Sequence, residues 1–375
     1  MRFLELRPRQ FRNLAPGSVF APDARFNVVT GRNAQGKTNL LEAIYLCATL
    51  KPLRAGKLTD LVRWGDAEAA VAVSAEVEGV RRDYQVAVSG GRRSAKIDGK
   101  VVGRPADYLR RAVRVIAFIP DDLEVAKGSA GARRRFLDRA VYGYEPSYLV
   151  ELRAYNRCLQ RRAALLRVPR VAQIDRDVLE AFDRELADLG ARVVARRIEF
   201  LDAVAPLAAA VHAAIAAGNP AAPAFAYEAS GHAEGVRPTA ESLRALLEER
   251  LPRDHALGAT TVGPHRDDLG LLLDGQPLRR MASQGQQRSV ILALKIAEIA
   301  LARERHQSAP VLLLDDVAGE LDRARAAALF DHLRAFPDGQ VLVTTTDRER
   351  VPLGRPEGVR EWVVEGGVVQ PADPA

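Results

Sequence analysis

Gly31-Arg32-Asn33-Ala34-Gln35-Gly36-Lys37-Thr38 follows the pattern G-x-x-x-x-G-K-[ST] in full. Glycines at its ends let the backbone curl until successive N–H groups face inward, a geometry that cradles phosphates. A helix beginning at the loop adds the partial positive charge of its N-terminus. Lys37 is expected to reach the β- and γ-phosphates, and the Thr38 hydroxyl to ligate Mg²⁺. Val311-Leu312-Leu313-Leu314-Asp315-Asp316 is an apolar run ending in two acids. Beside the first motif, Asp315 is expected to hold the metal shell and Asp316 to orient or deprotonate the attacking water. On its own such a pair is as readily a turn cap; the phosphate loop upstream gives it force. The cofactors expected are ATP and Mg²⁺, and the reaction is phosphoanhydride hydrolysis with Lys37 and Asp316 as the catalytic pair.

A third motif, Ser283-Gln284-Gly285-Gln286-Gln287-Arg288, opens a predicted helix 28 residues before Val311. A helix start with free N–H groups favours an anion. The same residues also make an ordinary Ser N-cap. Read with the other two motifs, Ser283, Gly285 and Gln286 are expected to contact the γ-phosphate of a nucleotide held by a second copy of the chain.

The elements that must position these groups are visible as apolar runs. Phe3–Leu6 and Phe26–Thr30 read as strands, and a helix is predicted from Thr38 to about Leu50. Residues 69–77 and 84–89 read as a hairpin turning at Gly79, and Val113–Ile119 as a strand. In the middle, Leu149, Leu152, Leu159 and Leu166 repeat at helical spacing. Leu179, Phe182, Leu186, Leu189 and Val193 follow at intervals of 3, 4, 3 and 4, and Phe200, Val204, Leu207 and Val211 continue the rhythm. With a break at Pro169, this pattern fits an antiparallel helical hairpin with a narrow apolar seam, or the core helices of a compact domain. Gly218–Pro238 reads as a loop. The last third returns to alternation: helix Ser283–Arg305, strand Val311–Asp315, helix Leu321–Ala335, strand Val341–Thr345. The fold class is therefore α/β: a head with a mixed sheet built from both ends of the chain, 1–125 and 251–375, interrupted by an inserted helical domain at 126–250. The last residues, 371–375, are expected to fray.

Composition narrows the function classes. The 375-residue chain carries a formal net charge of +7, and residues 104–167 alone hold 14 Arg/Lys against 7 Asp/Glu. Such a segment can gather a polyanion such as DNA; an Arg-rich composition throughout gives the same count, so charge alone leaves both readings open. Cys47 and Cys158 lie far apart without ligand neighbours, which argues against disulfides or a zinc site and fits a reducing cytoplasm. No charge-free run of about 18 apolar residues occurs, so no membrane partner is implied.

Taken together these motifs resemble the RecF family of bacterial recombination and repair proteins, which are SMC-like ABC ATPases. The likeness covers nearly the whole chain. It includes Phe11-Arg12-Asn13-Leu14, the phosphate loop through Asn39, Lys51–Gly65 ending in Arg63-Trp64-Gly65, and Phe118–Leu123. It continues with Lys127-Gly128-Ser129, Arg133-Arg134-Arg135-Phe136-Leu137-Asp138, Gly263–Asp268, Ser283–Arg288, Leu314-Asp315-Asp316 and Glu320-Leu321-Asp322. The resemblance implies an ABC-type ATPase head that dimerises on ATP and hydrolyses it weakly, with DNA as stimulator. It also implies binding to gapped DNA and single/double-strand junctions, work with RecR and RecO to place RecA on gaps, and service in the SOS response. Glu320-Leu321-Asp322 resembles the loop that reaches the partner subunit. The chain departs from the pattern at Gly319, where Ser is usual, and at Ala130, where Pro is usual. Thr344, Thr345 and Thr346 stand where a transporter-type ATPase carries its switch His. Asp316 is a methylene shorter than the Glu common in such ATPases, which implies slow turnover. An ABC transporter ATPase subunit is the alternative; it normally lacks an insertion of this size. A long-armed SMC or zinc-hook ATPase would need hundreds of heptad residues or a Cys-x-x-Cys hook. On a helix the three arginines 133–135 point about 100° apart, so at least one is expected to serve structure, and His265 reads as a hydrogen-bonded structural residue.

Overall fold

The computed structural model describes residues 1–54, 56–123, 125–168, 175–215, 221–306, 309–335, 339–353 and 358–372. Two compact units emerge. The first joins Met1–Leu123 to Glu298–Ala375, and the second is Glu124–Ala297.

The first unit is built on a six-stranded sheet ordered Val368–Pro371, Val359–Glu365, Phe26–Thr30, Val341–Thr345, Val311–Asp315, Val115–Phe118. All its pairings are parallel except the one between Val359–Glu365 and Val368–Pro371. Three of the four inner strands, Phe26–Thr30, Val341–Thr345 and Val311–Asp315, are nearly unbroken apolar runs, because a parallel sheet is covered on both faces. Val28, Val29, Leu313, Leu342 and Val343 are fully buried, each side chain contributing about 1.5–3 kcal/mol of transfer free energy. The helix Lys37–Thr49 lies against this sheet. A second, antiparallel sheet runs Arg2–Arg9, Glu68–Val77, Val80–Ser89, Arg92–Ile97, Lys100–Val101. Its first hairpin turns through Glu78 and Gly79, both at positive φ, the backbone that a two-residue turn needs to match strand twist. Buried Gln340 stitches the two sheets: its Oε1 accepts from the Phe3 N–H at 2.7 Å, and its Nε2 donates to the carbonyls of Phe3 and Asp23.

The second unit is mainly helical, with helices Ala130–Tyr144, Tyr148–Leu165, Arg176–Ile215, Ala240–Glu249 and Leu251–Leu257. Tyr148–Leu165 packs along the 40-residue Arg176–Ile215 helix. The expected hairpin is there, but its seam differs from the expected one. The buried line runs Leu179, Asp183, Leu186, Gly190, Val193, Arg197, Leu201, Val204, Ala208, while Phe182, Leu189, Leu207 and Val211 are only half-buried. Two charged residues therefore occupy positions that an apolar-period reading must skip. A window of the long helix has a mean hydropathy of 1.6, enough in length and composition to cross a membrane, although Phe200, Val204 and Ala208 are buried within the unit.

Two boundaries differ from the expectation. The second unit runs on to residue 297, so the division expected at 250 falls inside it. The reason is a three-stranded sheet, Gln276–Pro277, Asp268–Leu273 and Pro223–Glu228, which binds residues before 250 to residues after it. The strand Pro223–Glu228 lies in the segment expected as a loop. Its Ala and Pro hide the alternation of Phe225 and Tyr227, and its hydrogen-bonding partner lies about 45 residues downstream. Pro169 and Gly218 lie outside the described residues.

Candidate nucleotide site

The phosphate loop leaves the centre of the parallel sheet. Phe26–Thr30 sits between Val341–Thr345 and Val359–Glu365, so the loop emerges at the carboxyl edge where ligands of open α/β sheets bind. Gly31 has a φ of +153°, and a Cβ there would stand 2.4 Å from the Val364 carbonyl oxygen. Gly36, at φ +118°, precedes the helix Lys37–Thr49. Ala34 takes a left-handed φ of 64° without being glycine. Asn13 braces the loop: its Nδ2 donates to the Ala34 carbonyl at 2.9 Å, and its Oδ1 accepts from Asn39 Nδ2 at 2.7 Å.

Lys37 is buried and curls over the loop, donating from Nζ to the carbonyls of Gly31 at 2.7 Å and Arg32 at 3.0 Å. Burial lowers its ammonium below the usual lysine range, against the pull of the Asp316 and Asp315 carboxylates. Thr38 Oγ1 donates to Asp315 Oδ1 at 2.7 Å, so the phosphate loop and the acidic strand meet although they lie 277 residues apart. Thr344, on the next strand, donates to the same Asp315 oxygen at 2.7 Å, and its Oγ1 also accepts from the Asp316 N–H at 3.1 Å. Arg54 Nη2 lies 3.8 Å from Asp315 Oδ2.

Asp316 is held at a left-handed φ of 50°. Its Oδ1 is buried without a hydrogen-bond partner among the described residues. Burial raises its carboxyl above the ordinary range, opposed by Lys37 and reinforced by Asp315. An orphaned, buried carboxylate oxygen costs stability. Gly319 matters here: a Cβ at that position would come within 3.1 Å of Asp316 Oδ1, so a serine there would crowd this carboxylate.

Thr38 and Asp315 present a hydroxyl and a carboxylate oxygen in contact, the donor pair that Mg²⁺ takes from a protein while water and phosphates complete its shell. The described residues hold no group of three or more His, Cys, Asp or Glu side chains that could hold a metal ion. A cleft of about 930 Å³ runs from Lys37, Thr38, Asp315 and Asp316 past Arg12, Asn13 and Arg54 to Thr59, Asp60, Arg63 and Trp64.

Comparison with known proteins places this geometry in a lineage. The model of the "RecF/RecN/SMC N terminal domain" family matches residues 3–355. "DNA replication and repair protein RecF" of Myxococcus xanthus is 44% identical, over 98% of this chain and 97% of its own. The RecF of Anaeromyxobacter dehalogenans is also 44% identical, over 99% of each chain. The chain belongs to the RecF family. A solved structure of the recombination mediator protein RecF with ATP superposes with a TM-score of 0.87 at 28% identity, over 99% of this chain and 97% of that one. An Smc head bound to the C-terminal winged-helix domain of ScpA matches with a TM-score of 0.57 at 14% identity, covering 99% of this chain and 97% of that one. That likeness carries the ABC-type head fold alone.

In this RecF-family chain Glu320-Leu321-Asp322 lie in the first unit, whereas Ser283–Arg288, the arginines 133–135 and His265 lie in the second. Ser283 is exposed and precedes the helix Gln284–His306. Its Oγ accepts from the Gln286 N–H at 3.3 Å, while Gln286 Oε1 accepts from the Ser283 N–H at 2.8 Å. This reciprocal cap leaves the Ser283 hydroxyl hydrogen free to donate outward. Of the three arginines, Arg133 grips both oxygens of Asp268 and the Gly128 carbonyl, and Arg134 donates to the Asp267 carbonyl; Arg135 alone is exposed. His265 is clamped between Tyr155, 2.6 Å from Nδ1, and the Thr260 carbonyl, 2.9 Å from Nε2. The carbonyl can only accept, so Nε2 carries the proton and Nδ1 accepts a hydrogen bond from the Tyr155 hydroxyl. Burial lowers the His265 pKa and keeps the ring neutral. Arg12, Asn13, Arg54 and Trp64 were legible only as parts of family motifs; nothing local in their spacing reveals that they share the cleft with Lys37.

Proposed function

We propose that this chain is an ATP-dependent DNA-binding protein of recombinational repair, in which ATP joins two copies into a clamp and hydrolysis releases it. The single observation that carries the reading is the joint between Thr38 and Asp315, beside Lys37 and the orphaned Oδ1 of Asp316, in a RecF-family chain.

The loop amides from Gly31 to Thr38, with Gly36 opening the helix, wrap the β- and γ-phosphates. Lys37 exchanges its two loop carbonyls for phosphate oxygens. Thr38 and Asp315 hold Mg²⁺, which neutralises phosphate charge when bound. Asp316 orients the attacking water and takes its proton, and its raised pKa makes it a better base than an ordinary carboxylate. Thr344, which ties Asp315 to the Asp316 backbone, occupies the place of a switch His and keeps the two acids in register. Ser283, Gly285 and Gln286 of one copy complete the γ-phosphate site of the other, so loss of that phosphate loosens the dimer. The substrate class is gapped DNA and single/double-strand junctions. The partners are RecO and RecR, with RecA delivered to the gap and the SOS response downstream. ATP turnover is slow and DNA-stimulated, in the cytoplasm. Family membership argues against the transporter alternative.

The deciding experiment is light scattering with and without ATP, repeated with gapped DNA. The expected result is a monomer that doubles in mass with ATP. Ser283→Arg should still bind ATP as a monomer and fail to dimerise. A normal ATP-dependent dimer of that variant refutes the shared site.

A further inference from the structure

We propose that Trp64 is the platform on which the base of the bound nucleotide stacks. The inference rests on the nucleotide-binding reading above and extends it to the end of the ligand that the phosphate loop does not touch. Trp64 is 100% exposed, whereas the only other tryptophan, Trp362, is 2% exposed and packed edge-on against Phe20. A bare indole on a folded surface leaves a large apolar face in water, so its exposure asks for a ligand or a partner.

The loop that carries it is not slack. Arg12 N–H donates to the Leu61 carbonyl at 2.9 Å, Arg63 N–H to the Gln10 carbonyl at 2.8 Å, and Asp66 N–H to the Arg63 carbonyl at 3.0 Å. The Arg63 guanidinium reaches the carbonyls of Arg12 and Leu14, and Gln10 Nε2 holds Asp66 Oδ1 at 3.0 Å. Gly65 turns the chain at φ +91°. The backbone on both sides of Trp64 is thus pinned while the ring stands free.

The position of the ring points to the ligand. Trp64 lines the same cleft as Lys37, Thr38, Asp315 and Asp316. With the triphosphate at the loop, the ribose and base must occupy the rest of that cleft, whose lining includes Thr59, Asp60, Val62, Arg63 and Trp64. An aromatic base offers a π-face to an indole, and such stacking tolerates any base. Arg12 also borders the cleft. Its Nε is fixed by fully buried Glu42 at 2.9 Å, which directs a cation toward the same space.

Tryptophan emission tests this directly, because Trp362 supplies a constant background that a Trp64→Phe variant measures. ADP, ATP and inorganic tripolyphosphate are the probes. ADP and ATP should quench Trp64 emission, and tripolyphosphate, which has no base, should not. The quench by ADP should persist in the Ser283→Arg protein. Trp64→Ala should weaken ADP binding by calorimetry about tenfold, with tripolyphosphate affinity unchanged and Trp64→Phe retaining most of the ADP affinity. ADP binding by Trp64→Ala at wild-type affinity overturns the proposal. An emission change seen only with ATP and lost in Ser283→Arg also overturns it, and assigns Trp64 to contact with a second copy. A wild-type protein that binds neither ADP nor tripolyphosphate sinks the nucleotide reading itself, and the platform with it.

Discussion

The two units use the same residue types for opposite ends. In the candidate cleft, Lys37, Asp315 and Asp316 gather at the open edge of a sheet, partly desolvated, and one Asp316 oxygen has no partner among the described residues. In the second unit, Arg162 and Arg197 are buried among helices and fully satisfied. Arg162 donates to Asp183 at 2.5 Å, Asp254 at 2.7 Å and Thr260 at 2.8 Å. Arg197 binds Asp138, Tyr148, Tyr227 and the Pro264 carbonyl. Both networks close on the segment Thr260–Asp268, which Tyr227, Ser230, Arg133 and Arg134 also hold. Charge left unsatisfied marks the place where a ligand is to come; charge satisfied in full fixes how helices and strands meet.

That contrast can be broken at several points. Lys37→Ala should abolish ATP-dependent DNA binding, because the phosphates lose their main cation, while leaving the unfolding transition near wild type; ATP-dependent binding to a gapped duplex that persists in this variant removes the cleft from the mechanism. Arg162→Met should do the reverse. Two buried carboxylates lose their common partner, which costs about 3–5 kcal/mol, visible in urea unfolding, and ATP affinity per folded molecule stays unchanged. A smaller effect separates neighbours in sequence. Arg133→Ala should lower the melting temperature through loss of the Asp268 pair, whereas Arg135→Ala should leave it alone and weaken DNA binding a few-fold; equal melting losses would put both arginines in structure. The smallest effect concerns His265. Its folded pKa lies below the unfolded value near 6.5, so the unfolded chain binds more protons between the two. Its contribution is therefore present above about pH 6.5 and lost as pH falls toward the folded pKa. His265→Gln should flatten that part of the stability-against-pH curve, and an unchanged slope would locate the titrating group elsewhere.

Legibility followed the range of the interactions. Phe26–Thr30, Val311–Asp315 and Val341–Thr345 were readable to the residue because strands buried on both faces are unbroken apolar runs. The turn of Gly31–Thr38 was readable because it is local: the residues that define the motif, Gly31 and Gly36, are ones that take positive φ. Pro223–Glu228 was not, since its partner strand lies beyond the next helices. Asp183 and Arg197 were invisible for a sharper reason. They sit in register with the apolar stripe of their helix, and only counter-charges from other helices make those positions habitable.

By itself, then, the order of residues determined the phosphate cradle, the strands around it and the rhythm of the helices, since each depends on contacts within a few residues. Tertiary structure alone decided which of the arginines 133–135 are bound internally and which is exposed, and where Trp64 stands. Those outcomes depend on groups far apart in the chain, whose energies are set by the solvent that folding removes from some and leaves on others.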